Sequence, residues 1–191
     1  MPKIGQEVVR RAALVEATVE VIGAAGSLDV TVGQIAKRAG MSTALAHHYF
    51  GSKEAIFLAA MRHVLTVYGA EVRGALAAAR SPAERARAVI RASFTQASFR
   101  REVVAAWLNF YVLAQSSEEA RRLLSVYHRR LHSNLTHDLR ALVGDRAADV
   151  AQRLGGLIDG IYLRFAVNPG DTTGPDAAAH VLASLDAELG V

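Results

Sequence analysis

Six side chains in the second half of the chain have the chemistry needed to hold a permanently charged cation. The sole tryptophan, Trp107, is followed by Phe110 and Tyr111, and at i, i+3 and i, i+4 spacing the three share one face of a helix. Tyr127 opens a stripe with Leu131 and Leu135, and Tyr162 stands three residues after Asp159 in a third segment. A quaternary ammonium group has no N–H to donate. Proteins hold it on aromatic faces, each contact contributing about 0.5–2 kcal/mol, often beside a carboxylate. Trp107, Phe110, Tyr111, Tyr127, Tyr162 and Asp159 therefore form a candidate binding set. Aromatics at helical spacing also build ordinary cores. Asp159, inside the apolar run from Leu154 to Phe165, could equally pair with an arginine or cap a helix.

A second set lies near the start of the chain. Thr31 with Gln34 reads as a capping box for a short helix through Arg38, and Ser42 reads as the cap of another through about His48. Ala39-Gly40-Met41 joins them, with glycine at the sharp turn, which is helix-turn-helix spacing. The first short helix buries Val32, Ile35 and Ala36. The second presents Ser42, Thr43, Ala44, Leu45 and His47 from its N-terminal half, where free N–H groups and small polar side chains can meet base edges and phosphates. Thr31, Lys37, Arg38, Tyr49 and Lys53 flank that surface where phosphates would run, while His48 is expected to pack or cap within the motif. The same spacing would also suit three small helices in an all-α core.

Other chemistry has less to work with. His128 and His132 stand at i, i+4, a spacing able to bind a metal, but Arg129 and Arg130 beside them suggest a solvated cationic face. No serine or carboxylate pair has a recognisable nucleophile-and-base spacing, so nothing supports an enzyme. The absence of cysteine removes disulfides, thiol nucleophiles and Cys-based zinc sites. No cofactor or metal is expected beyond a small-molecule ligand.

The elements that must position these residues read with a 3.6-residue period throughout, so the expected fold is all-α, with about nine helices. The first carries Leu14, Ala17, Thr18, Val21, Ile22 and Ala25 and stops at Gly26. Ser52 caps a long helix whose stripe Phe57, Ala60, Met61, Val64 and Tyr68 continues to about Ala79, a span of about 40 Å that can join two domains. Helices are expected over Pro82–Phe99, Arg100–Gln115, Ser117–Val143 and Asp145–Val167, then a turn at Asn168-Pro169-Gly170-Asp171 and a last helix over Pro175–Leu189. The boundary falls inside the long helix, giving a DNA-binding unit over 1–62 and a ligand-binding and dimerisation unit over 63–191. Gly155, Gly156 and Gly160 interrupt the stripe Val150, Leu154, Leu157, Ile158, Ile161 and Phe165. Each helical glycine costs about 1 kcal/mol relative to alanine, and close approach of another helix is the expected compensation. With Ala179, Val181, Leu182, Leu185 and Leu189 of the last helix, a symmetric four-helix contact between two copies follows; the alternative is that both helices complete one core.

The chain has 191 residues, 51% of them hydrophobic, and 22 Lys+Arg against 18 Asp+Glu, which suits a folded protein of one large or two small domains. Arginine outnumbers lysine so heavily that arginine content alone says little about nucleic acid. The three lysines, Lys3, Lys37 and Lys53, all fall in the first third. No apolar run reaches the length of about 18 residues that spans a bilayer, and Met1 to Arg11 lacks the apolar stretch of a signal peptide. No membrane partner and a cytoplasmic location are expected.

The strings Thr31-Val32-Gly33-Gln34-Ile35-Ala36-Lys37-Arg38-Ala39-Gly40-Met41-Ser42 and His48-Tyr49-Phe50-Gly51-Ser52-Lys53-Glu54-Ala55-Ile56 resemble the TetR family of transcriptional regulators. Ala46 departs from the pattern, since the family usually has a larger apolar residue there. A narrower resemblance, to choline-responsive members of that family, is carried by Ala44-Leu45-Ala46-His47-His48-Tyr49-Phe50 and, in the more variable C-terminal part, by Ala105 to Val112, Arg129 to Leu135 and Leu157 to Arg164. The resemblance implies an all-helical homodimer that binds a two-fold-symmetric double-stranded operator and represses choline uptake and glycine betaine synthesis genes. It also implies release when choline, a small quaternary ammonium effector, enters the C-terminal domain. The same DNA-binding machine with an unrelated effector is the alternative, and a small helical enzyme or ligand carrier is a further one.

Overall fold

The computed structural model describes residues 4–168, 170 and 172–191, with the side chain of Ile4 excepted. Lys3, and Pro169 and Asp171 of the expected turn, lie outside the described residues. Among those described, the chain forms nine α-helices and no strand: α1 (Ile4–Ala25), α2 (Val32–Arg38), α3 (Thr43–Phe50), α4 (Lys53–Ala78), α5 (Pro82–Ala92), α6 (Arg101–Ser116), α7 (Glu118–Val143), α8 (Ala147–Val167) and α9 (Gly174–Leu189). A 3-10 turn over Gly144–Arg146 separates α7 from α8.

Local chemistry sets most of these boundaries. Ser52, Ser81, Ser117 and Thr173 each accept a hydrogen bond from the backbone N–H three residues on, satisfying donors that the first turn of a helix leaves open. Pro82 follows Ser81 at the first helical position, where its missing N–H costs nothing. α8 starts at Ala147 rather than Asp145, and the largest departure from expectation is that α5 ends at Ala92 rather than Phe99. Beyond it, side chains outcompete the helix for partners. The Ser98 N–H donates to Thr95 Oγ1 at 3.2 Å, and the Thr95 and Ser98 hydroxyls donate to Glu71 of α4 at 2.9 and 3.0 Å. Phe94 and Phe99 bury themselves on either side of this segment.

One continuous apolar cluster runs from Leu14 and Ile22 of α1 to Val181 and Leu185 of α9. The helix-turn-helix end is thus bonded by packing to the rest, and α6 makes part of that joint. A Cβ on Gly23 of α1 would lie 2.5 Å from the Cα of Glu102, so α1 crosses α6 closer than any side chain allows. At the other side of the joint, the Ser117 hydroxyl donates to Glu54 at 2.6 Å, and Arg62 of α4 pairs with Glu119 of α7. α4 is also long and apolar enough, by length and composition, to cross a bilayer. Arg62, His63, Glu71 and Arg73 break it into shorter apolar runs. Its Ile56, Phe57, Leu58, Ala60, Met61 and Val72 are buried in the core.

Deep between α5 and α7, Arg85 Nε donates to Asp138 Oδ1 at 2.7 Å, and Nη1 of the same guanidinium donates to the Leu76 carbonyl near the end of α4 at 3.2 Å. Asp138 is only 4% exposed, and its Oδ2 has no hydrogen-bond partner.

Candidate nucleic-acid interface and ligand cavity

The turn between α2 and α3 is built from backbone bonds. Gly40, at φ +68°, donates its N–H to Lys37 and Met41 donates to Ala36, the paired bonds of a Schellman ending that needs a left-handed residue. The Thr31–Gln34 capping box is complete, with the Gln34 N–H donating to Thr31 Oγ1 at 3.1 Å and the Thr31 N–H to Gln34 Oε1 at 2.6 Å. Ser42 Oγ accepts from the Leu45 N–H at 3.2 Å. α2 and α3 meet at Gly33, where a Cβ would stand in ordinary contact, 3.4 Å from Thr43 Oγ1. Ala46 is fully buried, so the smaller residue at this position still seats α3 on the core.

This geometry leaves Ser42, Thr43, Ala44, His47 and His48 exposed along α3, with Leu45 and Tyr49 half-buried and Thr31, Lys37 and Lys53 exposed beside them. These residues of the expected surface are thus accessible, with two differences nearby. His48 is exposed, and its packing within the motif is limited to the Tyr49 ring, 5.5 Å away between centres. Arg38 does not wait for a phosphate: it pairs with Glu20 of α1 at 2.5 Å. Lys53 donates to the Leu28 carbonyl at 3.0 Å across an exposed edge. Arg11 anchors the far end of α3, donating to the Tyr49 carbonyl at 2.6 Å with its guanidinium 4.4 Å from the Phe50 ring centre.

The aromatic set converges about 100 residues further on. Trp107 and Tyr111 of α6, Tyr127 of α7, and Asp159 and Tyr162 of α8 line a cavity of about 500 Å³, in the range of small-ligand sites. Val104, Leu108, Val112, Gln115, Gly160 and Leu163 complete the wall, leaving Asp159 as the only charged side chain on it among the described residues. Trp107 and Tyr127 stand 4.8 Å apart between ring centres and Trp107 and Tyr111 6.1 Å. Burial, reinforced by the negative charge of Asp159, holds the Tyr111 phenol protonated far above its ordinary range, and burial does the same for Tyr127 and Tyr162. Behind them, burial pushes the Tyr68 hydroxyl up to about 12. The wall is therefore neutral aromatic rings with one carboxylate.

Phe110 does not join it. It is fully buried on the opposite flank of α6, stacked edge-on against Phe57 of α4 at 6.3 Å. Tyr162 presents its ring, but its hydroxyl turns away to donate to the carbonyls of Ser93 and Ser98. The residue that sequence reasoning missed is His128. Its Nε2 lies 2.9 Å from the Tyr111 hydroxyl and 3.5 Å from Asp159 Oδ2, so Asp159 takes a histidine partner and not an arginine. The neighbouring Arg129 and Arg130 masked this. His132 lies 3.5 Å from Thr136 instead, so the two histidines do not converge on one point.

Comparison with known proteins agrees with both halves. Residues 14–60 match the model for bacterial regulatory proteins of the tetR family, and residues 82–190 match that for the BetI-type transcriptional repressor, C-terminal. The chain is 48% identical over 182 residues to the HTH-type transcriptional regulator BetI of Brucella anthropi, covering 95% of this chain and 92% of that one. It is 52% identical over 165 residues to that of Rhizobium meliloti, covering 86% and 81%. Among solved structures, a transcriptional regulator from Pseudomonas aeruginosa superimposes with a TM-score of 0.78 at 26% identity, over 100% of this chain and 93% of that one. A regulator from Saccharomonospora viridis, solved in complex with choline, superimposes at 0.81 over 92% of this chain and 95% of that one; at 21% identity it shows the fold. The all-helical architecture, the helix-turn-helix and the matched C-terminal half together make this chain a transcriptional repressor of the TetR family, in its BetI-type branch.

Proposed function

We propose that this repressor is a cytoplasmic homodimer that holds operator DNA through Thr31, Lys37, Ser42, Thr43, Ala44, Leu45, His47, Tyr49 and Lys53 and releases it when choline binds Trp107, Tyr111, Tyr127 and Asp159. The regulated functions would be choline uptake and glycine betaine synthesis. The observation that carries the effector reading is the cavity wall: apposed neutral aromatic rings and a single carboxylate suit a cation that cannot donate N–H hydrogen bonds. α6 carries Trp107 and Tyr111 on one flank and meets α1 at Gly23 and α4 through Phe110, so a shift of α6 reaches both helices that hold the recognition helix. That contact route is how an effector would change the spacing of two α3 helices away from the separation of about 34 Å between successive major grooves.

The dimer reading is supported by α8. Val150, Leu154 and Ile158 face the core of their own protomer, whereas Leu163 and Val167 stay exposed and Leu157 half-buried. Gly160 opens onto the cavity, but a Cβ on Gly156 would meet nothing within 4 Å, so the close approach expected to offset that glycine is not supplied inside the protomer. A second copy of the α8–α9 face would supply it.

Calorimetry with choline tests the effector assignment. Choline is expected to bind the wild type, and Trp107→Leu, which keeps apolar bulk but removes the π face, to bind about three- to thirtyfold more weakly. No heat with choline would retire the assignment.

A further inference from the structure

We infer that His47 reads sequence in the major groove by accepting a hydrogen bond from the exocyclic amine of an adenine or a cytosine. His47 stands on the exposed face of α3, one turn beyond Thr43, and its Nδ1 lies 3.0 Å from the carbonyl oxygen of Gly51. A carbonyl can only accept, so Nδ1 is the nitrogen that carries the proton. A neutral imidazole has one N–H, which leaves Nε2 with a lone pair and nothing to donate. The tautomer is held by the helix ending. Gly51 adopts φ +77°, a conformation that side chains disfavour, and its N–H donates to the His47 carbonyl at 2.7 Å while its own carbonyl turns back to the ring. Arg11 fixes the same end through Tyr49 and Phe50.

An acceptor has few partners on DNA. Phosphate oxygens, guanine O6 and N7, adenine N7 and thymine O4 all accept, and the donors in the major groove are adenine N6 and cytosine N4. The hydroxyls of Ser42 and Thr43 can act either way. In the Nδ1–H tautomer Nε2 cannot donate to a phosphate, and it favours base pairs that place an amine beneath it. This inference rests on α3 facing DNA.

The test uses the full-length protein. A duplex is selected from a random pool with wild type at about pH 8, where an ordinary imidazole is neutral. Each adenine of the half-site is then replaced by purine and each cytosine by 2-pyrimidinone, which lack the amine. One symmetry-related position is expected at which losing the amine weakens wild type by about five- to hundredfold. At that position the His47→Ala protein should be indifferent, with an unchanged thermal midpoint showing that it is folded. Purine sensitivity identifies adenine and pyrimidinone sensitivity cytosine. The inference is overturned if His47→Ala keeps every amine dependence of wild type. It is equally overturned if that variant binds all duplexes more weakly by one factor with a salt slope lower by about one, the mark of a phosphate contact. If wild type selects no duplex, the placement of α3 on DNA falls first.

Discussion

An Arg85→Met chain is expected to lose about 3–5 kcal/mol of unfolding free energy, read as a lower urea midpoint at unchanged slope. Asp138 is 4% exposed and already has one oxygen without a partner, so removing the guanidinium leaves a carboxylate in the core between α5 and α7 with no compensating charge. The Leu76 carbonyl loses its donor at the same time. Converting both members of the pair to apolar residues, Arg85→Met with Asp138→Leu, is expected to recover most of the loss, because the penalty lies in the orphaned charge and not in the missing attraction. A cost for the single variant below about 1 kcal/mol would show that water reaches Asp138.

The second large effect is on the cavity. Asp159→Asn keeps the shape of the side chain and removes its charge, and choline affinity is expected to fall by about ten- to hundredfold. Two unit charges 4 Å apart at an effective dielectric near 20 attract by about 4 kcal/mol, and stripping water from both takes back part of that. The control is 3,3-dimethylbutan-1-ol, which has the size of choline without its charge. Its binding should be indifferent to Asp159→Asn, and an equal loss for both ligands would make Asp159 a shaper of the cavity and not a counter-ion.

What could be read from the sequence was local. Capping residues such as Thr31, Ser42, Ser52 and Thr173 act on N–H groups three residues away, so they mark helix starts without knowledge of the fold. The turn at Gly40 has the same character. What could not be read depended on a distant partner. α5 stops early because Thr95 and Ser98 find Glu71, more than twenty residues upstream. Phe110 and Tyr111 flank the Trp107 direction on opposite sides of α6, and only the arrival of Phe57 from α4 decides that Phe110 is the one sent away from the cavity. His128 stands beside the cavity because two lining residues, Tyr111 and Asp159, 17 and 31 positions away, meet it in space, whereas its sequence neighbours are arginines. Arg38 likewise reads as a phosphate contact until Glu20 of α1 is brought against it. Helical periodicity says which residues share a face; the partner of that face is a tertiary fact.

The most direct test is the fluorescence anisotropy of a selected operator duplex titrated with the protein, with and without saturating choline. Coupling between two sites of one protein is commonly about 1–3 kcal/mol, so choline is expected to weaken operator binding by about five- to 150-fold, with the Trp107→Leu protein responding only at higher choline. Operator affinity that stays the same while calorimetry shows choline bound would contradict the account, because the cavity would then hold its ligand without any hold on the recognition helices.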